Sequence, residues 1–148
     1  MISAAAATNA LTRTRVLVID DSLAVRGVIR TLLRGLGVTE VYDAWTAEDA
    51  IVLANTCRPD VALVDYDLGM ETGLEVIRSL RDRRLNPVPD MPLLLMAPVD
   101  LPYLVEGARG AGATAILPKP LNAGTLGQSL EALMGAREQV SQRAASFH

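Results

Sequence analysis

Three acids and one lysine carry most of the chemistry this 148-residue chain can offer. Asp20 ends the apolar run "RVLVID" and Asp21 follows it, Asp65 ends "VALVD", and Lys119 follows "TAILP". Singly, each is an ordinary cap, turn or surface residue. Gathered in one place, three carboxylates would repel one another by roughly 4 kcal/mol per pair at 4 Å in an effective dielectric of 20. A hard divalent cation such as Mg²⁺ offsets that repulsion, since it takes oxygen ligands and keeps several waters. Lys119 adds a compact positive charge suited to an anion. The set reads as a phosphoryl-transfer site, in which one carboxylate acts as nucleophile and forms an aspartyl phosphate while metal and lysine neutralise the transferred oxygens. Asp65 is the candidate nucleophile, because its strand is expected to be central.

Other chemistries find few residues to use. The only histidine is His148 and the only cysteine is Cys57. Ser-His-Asp and Cys-His catalysis, a zinc site and an internal disulfide therefore lack their parts, and Cys57 reads as a small filler. The net charge of −3, from 17 acids and 14 bases with no basic block, argues against direct nucleic-acid binding. Apolar runs such as "LLLMA" fall far short of the roughly 20 residues of a membrane span. The opening "MISAAAATNALTRTR" lacks a signal-peptide pattern, so the chain is expected in the cytoplasm.

The elements that must position these residues follow from periodicity. Apolar segments at 15–20, 40–44, 61–65, 92–97 and 114–118 read as five strands. Helical spacing joins Val25, Ile29, Leu32, Leu33 and Leu36, then Ala47, Ala50, Ile51 and Ala54, then Leu74, Ile77 and Leu80. Leu101, Leu104 and Ala108 mark a fourth helix, and Leu126, Leu130, Leu133 and Met134 a fifth. Gly35, Gly37, Gly110 and Gly112 are expected at helix ends, and Asp100 as an N-cap. Alternating apolar strands and helices imply an α/β, doubly wound parallel sheet covered on both faces. In such a sheet ligands bind beyond the carboxyl ends of the strands, where Asp20, Asp21, Asp65 and Lys119 all fall. Residues 1–13 are expected as a flexible arm, 14–135 as one domain, and 136–148 as a tail or an extension of the fifth helix. Trp45 reads as a partly exposed packing aromatic, and Met70 and Met96 as fillers of core or loop gaps.

The pieces "VLVIDDS", "PDVALVDYDLGMETGLEVI" and "GATAILPKP" together resemble the receiver domain of two-component response regulators over roughly residues 14 to 135. The resemblance implies a flavodoxin-like (CheY-like) fold, with five parallel strands in the order 2-1-3-4-5 and five helices. It implies that Asp65 accepts a phosphoryl group from a histidine kinase or phosphotransfer protein. It implies Mg²⁺ held by Asp20, Asp21, Asp65 and the backbone carbonyl of Asp67, with Lys119 on the phosphoryl group and a cis peptide between Lys119 and Pro120. The chain then reads as a stand-alone response regulator with no output domain, acting through a downstream protein partner. By the same resemblance the face of the fourth helix, fifth strand and fifth helix is the expected partner surface, with Leu101, Tyr103 and Leu104 near it. A homodimer through that face is left open.

The sequence departs from the family at named places. Ala97 stands where a Thr or Ser donates to the phosphoryl group, and Ile116 where a Tyr or Phe turns on phosphorylation. Pro98 and Pro102 restrict the loop into the fourth helix, and Gly69, in place of the usual proline, is expected to loosen the loop after the acceptor. Two other readings remain. One is a phosphate-independent pseudo-receiver adaptor, favoured by Ala97 and Ile116. The other is a haloacid-dehalogenase-type phosphatase, which "Asp65-Tyr66-Asp67" resembles. Gly69 in place of Thr or Val, and the lack of an acidic motif after the lysine, oppose that phosphatase.

Overall fold

The computed structural model describes residues 10–98 and 102–146. Strands β1 (Arg15–Ile19), β2 (Glu40–Ala44), β3 (Val61–Asp65), β4 (Leu93–Pro98) and β5 (Ala115–Lys119) alternate with helices α1 (Leu23–Gly35), α2 (Ala47–Thr56), α3 (Gly73–Arg81), α4 (Pro102–Ala111) and α5 (Ala123–Ser146). All neighbouring strands pair in parallel, in the order β2-β1-β3-β4-β5. This is the flavodoxin-like arrangement that the alternation and the resemblance imply.

Successive strand residues face opposite sides, so each central strand feeds two cores. Leu17, Ile19, Ala62, Val64, Leu93 and Leu95 pack against residues of α2, α3 and α4, including Ala50, Val76, Ile77 and Leu104. Val16, Val18, Leu63, Leu94, Met96 and Leu117 pack on the other side against Ile29 and Leu33 of α1 and Leu126 and Leu130 of α5. Each fully buried Leu or Ile contributes about 1.5–3 kcal/mol, which fixes strand register as well as stability. The chain leaves β1 in one direction for β2 and returns past it to β3. The carboxyl ends of β1 and β3 therefore border the crevice where connections diverge.

Helix starts are set by side-chain caps that periodicity did not reveal. Ser22 accepts from the Val25 N–H, Thr46 from Asp49, Thr72 from Glu75 and Asn122 from Thr125. All four glycines lie near helix ends, as expected: Gly37 and Gly112 take positive φ after α1 and α4, while Gly35 is the last residue of α1 and Gly110 the next to last of α4, both without positive φ. The expected cap Asp100 and the surface residue Leu101 lie outside the described residues, as does His148.

The domain begins earlier than the spacing indicates. Residues 10–12 form a helical turn, Leu11 is buried in the second core, and the Thr14 hydroxyl donates to the Ala10 carbonyl at 2.7 Å. At the other end α5 runs on to Ser146, so the tail extends the helix. Among the described residues no helix is long and apolar enough to cross a membrane.

Candidate functional site

Three carboxylates converge at the crevice between β1 and β3. Asp20 follows β1, and its N–H donates to the Ala44 carbonyl at 3.1 Å, so sheet hydrogen bonding positions it. Asp65 ends β3 in register with Met96 of β4. Asp21 lies exposed in the turn before the Ser22 cap. One carboxylate oxygen from each of Asp20, Asp21 and Asp65 lies within 4.8 Å of the others. Lys119, closing β5, reaches across β4, and its Nζ donates to Asp65 Oδ1 in an ion pair. The Lys119–Pro120 peptide is cis.

Asp20 is only 1% exposed. Its Oδ1 accepts from the Ser22 N–H at 2.9 Å, but its buried Oδ2 has no hydrogen-bond partner. Burial raises the Asp20 pKa above the ordinary carboxylate value, and the charges of Asp65 and Asp21 act in the same direction. The Ser22 N–H and Lys119 oppose the rise without cancelling it. A buried charged acceptor left without a donor costs about 1–3 kcal/mol or more. A cation at this point would satisfy the orphaned oxygen and remove the repulsion together. The donor set is all hard carboxylate oxygen, one member of it solvent-exposed, which suits a Mg²⁺ ion that keeps part of its water shell.

The loop after Asp65 is shaped by the residues that the spacing singled out, for reasons it did not supply. Asp67 is exposed, and its Oδ1 accepts from the Gly69 N–H at 3.1 Å, so its side chain forms a local turn. Gly69 has φ +77°, which proline does not adopt, and a Cβ there would stand 3.0 Å from Asp21 Oδ2. Gly69 therefore allows a left-handed turn beside an acid, a conformation that proline would not permit. Gly73 opens α3, its N–H donating to the Tyr66 carbonyl at 2.6 Å, and a Cβ would fall 2.3 Å from the Asp65 carbonyl oxygen. Only glycine lets α3 begin this close to β3. Met70, read as a filler, is fully exposed instead, while Met96 is buried.

Ala97 is buried near the end of β4, and Ile116 of β5 packs against the first core opposite Leu95. Neither offers a hydroxyl or an aromatic ring to the crevice. Tyr103 is exposed on α4, but Leu104 is buried in the first core and does not lie on a partner surface.

Two links at the site were missed by the spacing. Arg26 is buried, and its Nη1 donates to the Asp20 carbonyl at 2.6 Å. The signal was present, since Arg26 shares the helical stripe of Ile29, Leu33 and Leu36, where a charge is unexpected. Glu71 Oε1 accepts from the Ala47 N–H at 3.3 Å, tying the loop after Asp65 to the start of α2. No sequence pattern marks that contact.

A family profile described as the response regulator receiver domain matches residues 16–131. The chain is 29% identical over 118 residues to the chemotaxis protein CheY of Pseudomonas aeruginosa, covering 79% of this chain and 93% of that protein. It is 34% identical over 113 residues to the KDP operon transcriptional regulatory protein KdpE of Escherichia coli, covering 76% of this chain and 48% of that one. Among solved structures, the Vibrio cholerae chemotaxis protein CheY4 superposes with a TM-score of 0.71 at 28% identity, covering 81% of this chain and 98% of that one.

Proposed function

Since the chain belongs to the response regulator receiver family, we propose that Asp65 accepts a phosphoryl group from a histidine kinase or phosphotransfer protein. Asp20, Asp21 and Asp65, with the backbone carbonyl of Asp67, would hold Mg²⁺. The observation that carries this reading is the convergence of three carboxylates around the unpartnered Asp20 Oδ2, with Lys119 already on Asp65.

In the proposed step a carboxylate oxygen of Asp65 attacks phosphorus. The bond from phosphorus to the donor's imidazole nitrogen breaks, and the electron pair leaves with the imidazole. Mg²⁺, when bound, supplies charge neutralisation for the phosphoryl oxygens. Lys119 exchanges its contact with Asp65 for a phosphoryl oxygen, so its positive charge moves with the developing negative one. The sheet keeps the acceptor rigid, because Asp65 is paired in β3 and Gly73 seats α3 directly against its carbonyl.

The response to phosphorylation is read differently from the common hydroxyl-to-aromatic relay. Ala97 and Ile116 supply neither group, so the loop 66–72 and α3 carry the change, supported by the Glu71 link to α2. Effect then passes to a downstream protein partner. Exposed Tyr103 and Val105 leave the α4–β5–α5 face available to a partner or to a second copy of the chain.

Intact-mass spectrometry after incubation with acetyl phosphate and Mg²⁺ tests the acceptor. A single phosphoryl increment that requires both the metal and Asp65, absent in Asp65→Asn, is expected. No increment and no Mg²⁺ binding would replace this reading with the phosphate-independent adaptor, which Ala97 favours. Amide shifts with a phosphoryl mimic test the route: changes are expected at 66–81, and large changes across 98–118 would overturn it.

A further inference from the structure

Among the described residues Arg26 is the only arginine or lysine to be buried, at 3% exposed. It stands between the acidic pocket and the turn from β2 to α2. On one side its Nη1 holds the Asp20 carbonyl at 2.6 Å. On the other its Cζ lies 4.9 Å from the centroid of the Trp45 ring, within cation–π range. Trp45 itself is 60% exposed, so the indole covers the guanidinium and faces solvent.

The network around Arg26 is incompletely satisfied. Its Nε stands 3.9 Å from Asp43 Oδ2, too far for a hydrogen bond, and that oxygen is taken by Arg30 at 2.7 Å. Arg26 Nε and Asp43 Oδ1 are both buried without a hydrogen-bond partner, as is Asp20 Oδ2. The three orphaned atoms therefore run in a line of residues, Asp20 to Arg26 to Asp43, ending beside Trp45. A fully paired network would have one preferred arrangement. Here the unpaired Arg26 Nε stands 3.9 Å from Asp43 Oδ2, about 1 Å beyond hydrogen-bond length, so a change at Asp20 has somewhere to go.

A second contact reaches the same turn. Glu71, from the loop after Asp65, accepts the Ala47 N–H two residues beyond Trp45. The Asp20 N–H donates to the Ala44 carbonyl at 3.1 Å, so both sides of the pocket, the β1 end and the β3 loop, are hydrogen-bonded to residues 44–47.

Resting on the reading of the pocket as a Mg²⁺ site, we propose that Arg26 is the positioning residue for Asp20 and that through it occupancy of the pocket is displayed at Trp45 on the β2–α2 turn. Groups behind a metal ligand fix its orientation, and their loss commonly weakens binding by about 10-fold or more. The guanidinium also polarises the indole it lies under, so a small shift of Arg26 changes the field at the ring.

Trp45 is the only tryptophan, so its emission reports this turn alone. The full chain is titrated with MgCl₂ while Trp45 emission is recorded, and binding heat is measured separately by calorimetry. An emission change that saturates with the calorimetric Kd is expected. Arg26→Lys, which keeps the charge but loses the planar fork, is expected to remain cooperatively folded, to bind Mg²⁺ about 10-fold more weakly and to lose the emission response. Should Arg26→Lys fail to fold, the Arg26 Nε–H resonance of the unaltered chain serves instead, with a shift on Mg²⁺ addition expected. Binding heat with silent Trp45 emission, an unmoved Nε–H resonance, or a folded Arg26→Lys of unchanged affinity overturns the role of Arg26 and leaves the metal site standing. Absence of heat overturns both.

Discussion

Asp20→Asn is expected to stabilise the metal-free fold and to remove its stabilisation by Mg²⁺. An Asp20 oxygen lies within 4.8 Å of oxygens of Asp65 and Asp21. Desolvation of the buried carboxylate is the largest part of the penalty and Asp65 adds repulsion, while the Ser22 N–H and Lys119 oppose them without cancelling them. Replacing this incompletely compensated buried charge by a neutral side chain is expected to gain about 1–2 kcal/mol, or about 3–6 °C in melting temperature for a chain of this size. Asparagine keeps the oxygen that Ser22 needs. The sign of the pH dependence follows from the raised Asp20 pKa. The penalty is present in full above the folded value and disappears as pH falls through it toward the unfolded value of 3.8. The gap between variant and parent should therefore be widest near neutrality and narrow in acid. Mg²⁺ at about 100 times its Kd adds about 2.7 kcal/mol to the parent and little to the variant, reversing their order. Urea unfolding followed by circular dichroism, in EDTA and in excess Mg²⁺, measures both effects. A variant less stable than its parent in EDTA at neutral pH, or a gap that widens in acid, would refute the reasoning.

Gly73→Ala places a Cβ 2.3 Å from the Asp65 carbonyl oxygen and 2.9 Å from Leu95 Cδ1. Relief requires about 1 Å of backbone movement at the acceptor. A loss of about 1–3 kcal/mol in stability and up to about 100-fold slower labelling by acetyl phosphate are expected, measured by urea unfolding and timed mass spectrometry. Asn86 is fully buried and bonds the Leu80 carbonyl at 2.8 Å, the Val88 carbonyl at 3.3 Å and the Val88 N–H at 3.1 Å. Asn86→Ala should cost about 2–4 kcal/mol in urea unfolding. Because Asn86 holds the turn between α3 and β4, away from the crevice, Mg²⁺ affinity by calorimetry should not change.

The alternation of strand and helix was legible because each period reports a burial geometry, two for the sheet and 3.6 for its covering helices. The four site residues were legible because topology puts all parallel strand ends on one edge. What stayed hidden depends on which side chain meets which across the fold. Leu104 carries the same apolar character whether it faces the core or a partner, and its burial is decided by the first core it meets. Met70 was read as filling a gap, yet the turn at Gly69 throws it into solvent. Leu11 was assigned to the arm because the helical turn it anchors is too short for periodicity to register. Ser22, Thr46 and Thr72 cap their helices through hydroxyls, which apolar spacing does not register.

Arg26 shows why the proposed route out of the pocket escaped the sequence. A residue carries a change between sites only if it has two arrangements of similar energy that both sites bias. Where the family's relay normally stands, Ala97 is buried and Ile116 is half-buried, and neither side chain has a polar group that could exchange hydrogen-bond partners. Arg26 Nε, a buried donor without a partner, stands 3.9 Å from Asp43 Oδ2, so a small movement of the guanidinium would pair it and repay part of the cost of burying it. In the apolar spacing of α1, Arg26 looks like a misplaced charge on a core stripe. In the structure it is a buried donor on the Asp20 carbonyl, and its unpaired Nε is what, on the proposed reading, lets it respond to the charge on that acid.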